Sequence, residues 1–238
     1  MDGIYTSAEK LIGNTPMLEL VNLEKPGWRL VREWAAEAKN HFEILPRDER
    51  LEGEELVALQ VSTRSPMGAV VYESGGVLFY RGFVRLLGSG CDRMRRGLAG
   101  WNAKMMPDLP MQGRPYLIVA DDVVGWIFAI NGGGLGEDIG KIYYLAPDTL
   151  EWEDMQFSYS DFVYWLFCGD VAKFYEPYFF EGWQDAVAKL GCDETFSSYP
   201  FLWSKEAQDM GVSALSRKAV SADESYRLMI EFVAKLGS

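Results

Sequence analysis

From Ser65 to Pro147 the chain is made of short runs rich in Val, Ile, Leu, Phe and Tyr, separated by glycine-bearing turns. AVVYESGGVLFYRGFVRLL (69–87) reads as a strand, a Ser-Gly-Gly turn, a second strand, and a third after Arg81-Gly82. PYLIVADDVVGWIFAINGGGLGEDIGKIYYLAP (115–147) supplies three more, with turns at Asp121-Asp122 and in the glycine cluster 131–140. Six short strands in consecutive order favour a largely antiparallel sheet.

Helical signals flank this block. Pro26 stands where a helix can start, and Trp28, Val31, Trp34, Ala35, Ala38 and Phe42 recur at spacings of three and four, predicting a helix from about 27 to 41. Leu45-Pro46 ends that element, and LEGEELVALQ (51–60) suggests a second, short helix. Residues 88–114 read as loop. Further on, Ser158 with Asp161 can cap a helix through the apolar FVYWLF, Asp170 can cap the next, and Pro177 should bend or stop it. Trp183, Val187 and Leu190 ahead of Gly191 make another short helix, and Ser221 with Glu224 opens a last one. The expected fold class is α+β: a central, largely antiparallel sheet with an N-terminal helix and several C-terminal helices. With 48% hydrophobic residues among 238, the chain can fill one core. The reading is therefore an extended arm over 1–24 and a single domain over 25–238.

Several kinds of chemistry find no support in the residues. The apolar stretch VVGWIFAI (123–130) is too short to span a bilayer, and the first twenty residues lack a basic start and a continuous apolar block. Neither a membrane helix nor a signal peptide is expected, and the default address is the cytoplasm. Cys91, Cys168 and Cys192 are odd in number with no CxxC pair, which agrees with a reducing compartment. Cys168 reads as a small buried hydrophobe. A net charge of −12 disfavours nucleic acid and anionic membranes. His41, the only histidine, sits at the predicted C-terminal end of the first helix, where the helix dipole suits a partial positive charge. No zinc-type ligand set can be assembled, no GxSxG elbow occurs, and the SxxK match at Ser7 and Lys10 lies on the arm. Glu33 and Glu37 read as solvated helix-face carboxylates. NGGGLGEDIG (131–140) invites comparison with a dinucleotide loop. However, Glu137 and Asp138 repel phosphate, and the segment enters the strand-like KIYYL rather than a helix. A turn whose glycines serve backbone geometry is the better reading. A calcium site from Asp121, Asp122, Glu137 and Asp138 has no EF-hand spacing behind it. No catalytic residue, metal site or cofactor is assigned.

What remains is charge. Arg81, Arg85, Arg93, Arg95, Arg96, Lys104 and Arg114 crowd 81–114, while 115–161 carries nine carboxylates against Lys141 alone. Either the two blocks pair inside the fold, or they form a two-signed surface for a protein partner. The candidate binding residues are Arg93, Arg95, Arg96, Asp121, Asp122, Asn131, Glu137 and Asp138. The leading expectation is a non-enzymatic protein-binding module. The alternative is an enzyme using carboxylates near the glycine cluster as acid and base.

Three resemblances add to this. IYTSAEKLIGNTPMLELVNLEK (4–25) looks like the N-terminus of cysteine synthase, a pyridoxal-phosphate enzyme, but the family pattern stops after Lys25 and no Schiff-base lysine segment follows. The cofactor is therefore not expected to bind. The rest, about 26–238, resembles a bacterial family catalogued as domain of unknown function 2625. The resemblance is carried by PGWRLVREWAAEAKN, LQVSTRSPMGAVVYESGG, VRLLGSG, ADDVVGWIFAINGGGLGEDIG, YYLAPDTLEWE, YSDFVYWLFCGD and YPFLWSKE. It implies no activity. More distantly, residues 131–166 are similar to the strand–strand–helix pattern of Smi/Knr-type (SUKH) proteins, and that likeness implies an immunity-type or regulatory binding role.

Overall fold

The computed structural model describes residues 26–236. The arm over 1–24, with its cysteine-synthase-like stretch and SxxK match, lies outside the described residues. Seven strands form one sheet in strict chain order: β1 (Phe42–Leu45), β2 (Gly76–Phe79), β3 (Val84–Leu87), β4 (Tyr116–Asp122), β5 (Ile127–Asn131), β6 (Ile142–Leu145) and β7 (Trp152–Asp154). Every neighbouring pair is antiparallel. A separate hairpin joins β8 (Glu194–Tyr199) to β9 (Ser216–Ser221). The fold class is α+β, as the pattern of turns and short strands implied.

Helices before, within and after the sheet cover it: α1 (Pro26–Ala36), α2 (Glu52–Leu59), α3 (Pro66–Glu73), α4 (Leu98–Met105), α5 (Tyr159–Cys168), α6 (Val171–Tyr175), α7 (Trp183–Val187), α8 (Lys205–Met210) and α9 (Ala222–Leu236). Strands β2 and β3 are buried at every position, so the middle of the sheet is covered on both faces. The core runs from Val31 through Phe79, Phe83 and Phe128 to Phe162 and Phe167. No helix among the described residues is long and apolar enough to cross a membrane.

Several local expectations need correction. The run AVVY is not a strand but half of α3. Ser65 caps it by accepting the Gly68 amide at 3.1 Å, and Pro66 occupies the first turn. Tertiary burial of Val70 and Val71 overrides their β preference. Helix α1 packs the expected stripe against the core, with Val31 buried and Trp28, Trp34 and Ala35 half-buried, but stops at Ala36 rather than near 41. The chain turns aside because the Lys39 and Asn40 amides, and the Asn40 side chain, satisfy the last carbonyls of α5 at Leu166, Phe167 and Gly169. His41 consequently lies beyond the helix end, exposed, just ahead of β1. The stretch 88–114 is not all loop. It contains α4, whose first turn is capped from outside by the Glu55 carboxylate, which accepts the Ala99 and Gly100 amides. Asp121 and Asp122 end β4, and the turn follows them. The caps at Ser158 with Asp161, at Asp170 and at Ser221 form as expected, the first as a reciprocal capping box. Cys168 is buried in α5, its sulfur 3.7 Å from the Trp34 and Glu37 carbonyls.

Candidate functional site

The eight candidate binding residues separate to the two ends of β4 and β5. Register puts Tyr116 opposite Asn131 at one end and Asp121 opposite Ile127 at the other. The glycine cluster, with Glu137 and Asp138, leaves from the first end, while Arg93, Arg95 and Arg96 gather with Asp121 and Asp122 at the second, so the two charged blocks meet inside the fold at Asp121.

At the arginine end, β3 and β4 place Arg85 directly across from Asp121, and the Arg85 Nε donates to the Asp121 Oδ1 at 2.8 Å. Arg96 Nη1 donates to the other oxygen of Asp121, while its Nε reaches the Asp193 Oδ1 at 3.0 Å and its Nη2 the Cys192 carbonyl at 2.9 Å. The Arg95 amide closes on the Asp193 Oδ2 at 2.9 Å. Arg85 also donates to the Asp122 and Glu194 carbonyls. Two guanidiniums and two carboxylates thus balance, tying β3, β4, the 91–97 loop and the start of β8 together. Burial pushes the Asp121 carboxyl up, but Arg85 and Arg96 outweigh it and hold the group below the usual carboxylate range. Arg96 is 6% exposed, and its guanidinium also lies 5.0 Å from the Trp101 ring centre. Of the three arginines of this loop only Arg93 and Arg95 face solvent. Arg93 is bound by Glu43, and Arg95 has no ion-pair partner among the described residues.

Asp122 is fully buried. Its Oδ1 accepts the Val124, Gly125 and Trp126 amides at 2.8 to 3.0 Å, and its Oδ2 the Tyr175 hydroxyl at 2.7 Å. It shapes the β4–β5 turn and anchors α6. Burial pushes its carboxyl up to about 7. Asp121 and Asp122 are therefore internal groups and not part of an exposed docking surface.

At the other end Asn131 uses its whole amide. Its Nδ2 donates to the Gly136 and Asp138 carbonyls, and its Oδ1 accepts the Gly133 and Leu135 amides. The glycine cluster is a pinned loop between strands, not the mouth of a helix. Gly133 has φ of 111°, and a Cβ on Gly134 would stand 2.3 Å from the Pro115 Cβ. Glu137 and Asp138 are exposed, and Ile139 is 72% exposed beside them. No group of three or more His, Cys, Asp or Glu among the described residues is placed to hold a metal ion.

A family described as protein of unknown function DUF2625 matches residues 17–225. The chain belongs to the DUF2625 family. The match begins inside the segment read as an arm, at Met17, and spans the whole seven-stranded sheet. Two curated relatives agree. The uncharacterised protein YbfG of Escherichia coli K12 is 42% identical over 215 residues, which are 90% of this chain and 95% of the relative. An uncharacterised protein of Haemophilus influenzae is 37% identical over 209 residues, 88% of this chain and 91% of its own length. The chain and these DUF2625 relatives therefore share nearly their full extent. Arg85, Asp193 and Tyr175, which complete the networks, were absent from the sequence candidates. A charged residue inside the apolar run VRLL was the available signal for Arg85, since a buried charge needs a partner. Asp193 and Tyr175 carried no such signal.

Proposed function

We propose that this DUF2625 chain is a non-enzymatic protein-binding module that engages its partner through the pinned loop 131–140. The observation that carries the reading is the fourfold bonding of Asn131, which holds a projecting loop rigid while Glu137, Asp138 and Ile139 stay exposed. A loop ordered before binding loses less entropy on complex formation. An apolar anchor ringed by carboxylates suits a partner with an apolar pocket and a basic rim. The SUKH-type resemblance of 131–166, which implies a binding role, supports the same reading. The test places a photo-crosslinking residue at position 139 and compares capture from a bacterial lysate with competition by unlabelled variants. Wild-type protein should compete, whereas Ile139→Asp and the double variant Glu137→Lys with Asp138→Lys should not, although all remain folded. Equal competition by these variants would remove the loop from the interface.

A further inference from the structure

The arginine end of the sheet is concave. A cleft of about 330 Å³ lies there, bordered by the β2–β3 turn, the 91–97 loop and the segment after α7, within the size range of small-ligand sites. Arg81, Arg85, Arg93 and His41 converge on it in a chain with a net charge of −12. Leu78, Val187 and Leu190 give it an apolar lining. The single carboxylate on its wall, Glu43, is held by Arg93 through both oxygens. That pair shows the Arg93 fork presented as a planar anion needs it.

Arg85 is committed to Asp121 and two carbonyls, but Arg81 is not. It is exposed, and its guanidinium makes no hydrogen bond or ion pair with any described residue. It also stands on costly backbone: Tyr80 and Arg81 have φ of 51° and 61° in succession, ahead of Gly82. The surroundings enforce this turn. The Tyr80 ring stacks 6.2 Å from both Phe179 and Trp183, and its amide donates to the His41 carbonyl at 2.9 Å. The fold thus holds an arginine with no partner among the described residues in a strained position at the mouth of a basic, apolar-lined cleft.

We infer that this cleft binds a small organic anion, its carboxylate or phosphate held between Arg81 and Arg93 and its apolar body against Leu78, Val187 and Leu190. Glu43 is the built-in competitor that an incoming anion displaces from Arg93. The site is at the opposite end of β4 from the glycine loop and stands independently of the protein-binding reading.

Calorimetric titration of the full chain with inorganic phosphate, succinate and phenyl phosphate tests it. Phenyl phosphate should bind more tightly than inorganic phosphate because its ring reaches the apolar lining. Arg93→Ala should weaken binding about tenfold or more, the loss expected for one charge-assisted hydrogen bond. Glu43→Gln should strengthen it several-fold by freeing Arg93. Arg81→Gly separates binding from folding, because glycine accepts a φ near 61° without strain: thermal stability should hold or rise while binding falls about tenfold or more. Absence of binding by all three probes to both wild type and Glu43→Gln overturns the inference. So does binding that Arg81→Gly and Glu43→Gln leave unchanged, which marks diffuse ionic attraction.

Discussion

At the scale of single residues, neighbours in one loop have opposite roles. Arg96 is enclosed by Asp121, Asp193 and Trp101, whereas the Arg95 side chain points to water. Removing one member of a buried pair leaves the other charge uncompensated, at a cost of about 3–5 kcal/mol. Arg96→Ala and Asp121→Ala should each lose that much in urea unfolding, while Arg95→Glu should change stability by no more than about 0.5 kcal/mol. Equal effects at 95 and 96 would contradict the geometry. Asp122 makes a second expectation, about pH. Its folded-state pKa of about 7 lies above the unfolded value near 3.8, so the folded state favours the protonated form. The contribution from this group is complete below pH 4 and is lost as pH rises to 7, amounting to about 4 kcal/mol. Asp121 acts in the opposite sense, and its contribution is lost only as pH falls below the ordinary carboxylate range. In Asp122→Asn the amide oxygen can still accept the three turn amides and the Tyr175 hydroxyl can turn to accept. The decline in unfolding free energy between pH 5 and pH 8 should therefore flatten in that variant relative to wild type. A variant with the same decline would show that Asp122 is ionised throughout.

Elements here are held by groups from other elements as much as by their own propensities. Helix α4 has Gly97 at its capping position and so no side-chain cap of its own, and Glu55 of α2 takes its first amides. Asn102 of α4 in turn bonds both the amide and the carbonyl of Ile118, at the bulge in β4 beyond the reach of β3. Glycines show how differently one residue type can serve. Gly133 needs its left-handed backbone and Gly134 has no room for a Cβ beside Pro115, so Gly133→Ala and Gly134→Ala should each cost about 1 kcal/mol or more. Gly53 lies in the first turn of α2 with nothing within 4 Å of a built Cβ, and Gly53→Ala should stabilise by about 0.5 kcal/mol. Thermal unfolding of the three variants would show the two signs, and a shared sign would refute the assignment.

For the molecule as a whole, the seven residues of β4 set about 20 Å between the pinned loop and the arginine network. One end projects and carries carboxylates around Ile139. The other recedes and carries guanidiniums around Leu78 and Leu190. Sites so separated, with no shared side-chain partner, should behave independently. The double variant Asn131→Ala with Arg81→Gly should match the sum of its single effects on stability within about 0.5 kcal/mol. Asn131→Ala should also leave anion binding in the cleft at its wild-type strength. A larger coupling would mean that the sheet transmits strain from one end to the other.

The linear pattern determined the α+β class, the antiparallel order of the central strands, the capping sites at Ser158, Asp170 and Ser221, and the role of the glycine cluster as a turn. Those features rest on relations between residues close in sequence: short apolar runs, the glycine-bearing turns between them, and side chains reaching amides three residues on. Only the tertiary structure turned AVVY into a helix, shortened α1 so that Asn40 could cap α5, and placed β1 beside β2. Only the tertiary structure, too, sent Arg96 inward to meet Asp193, 97 residues away. Whether a charge is buried or wet depends on what the fold brings against it, and a partner at that separation leaves no periodic trace. The same reason hid the cleft: Arg81, Arg93 and Leu190 converge across three segments whose spacing along the chain carries no sign of their meeting.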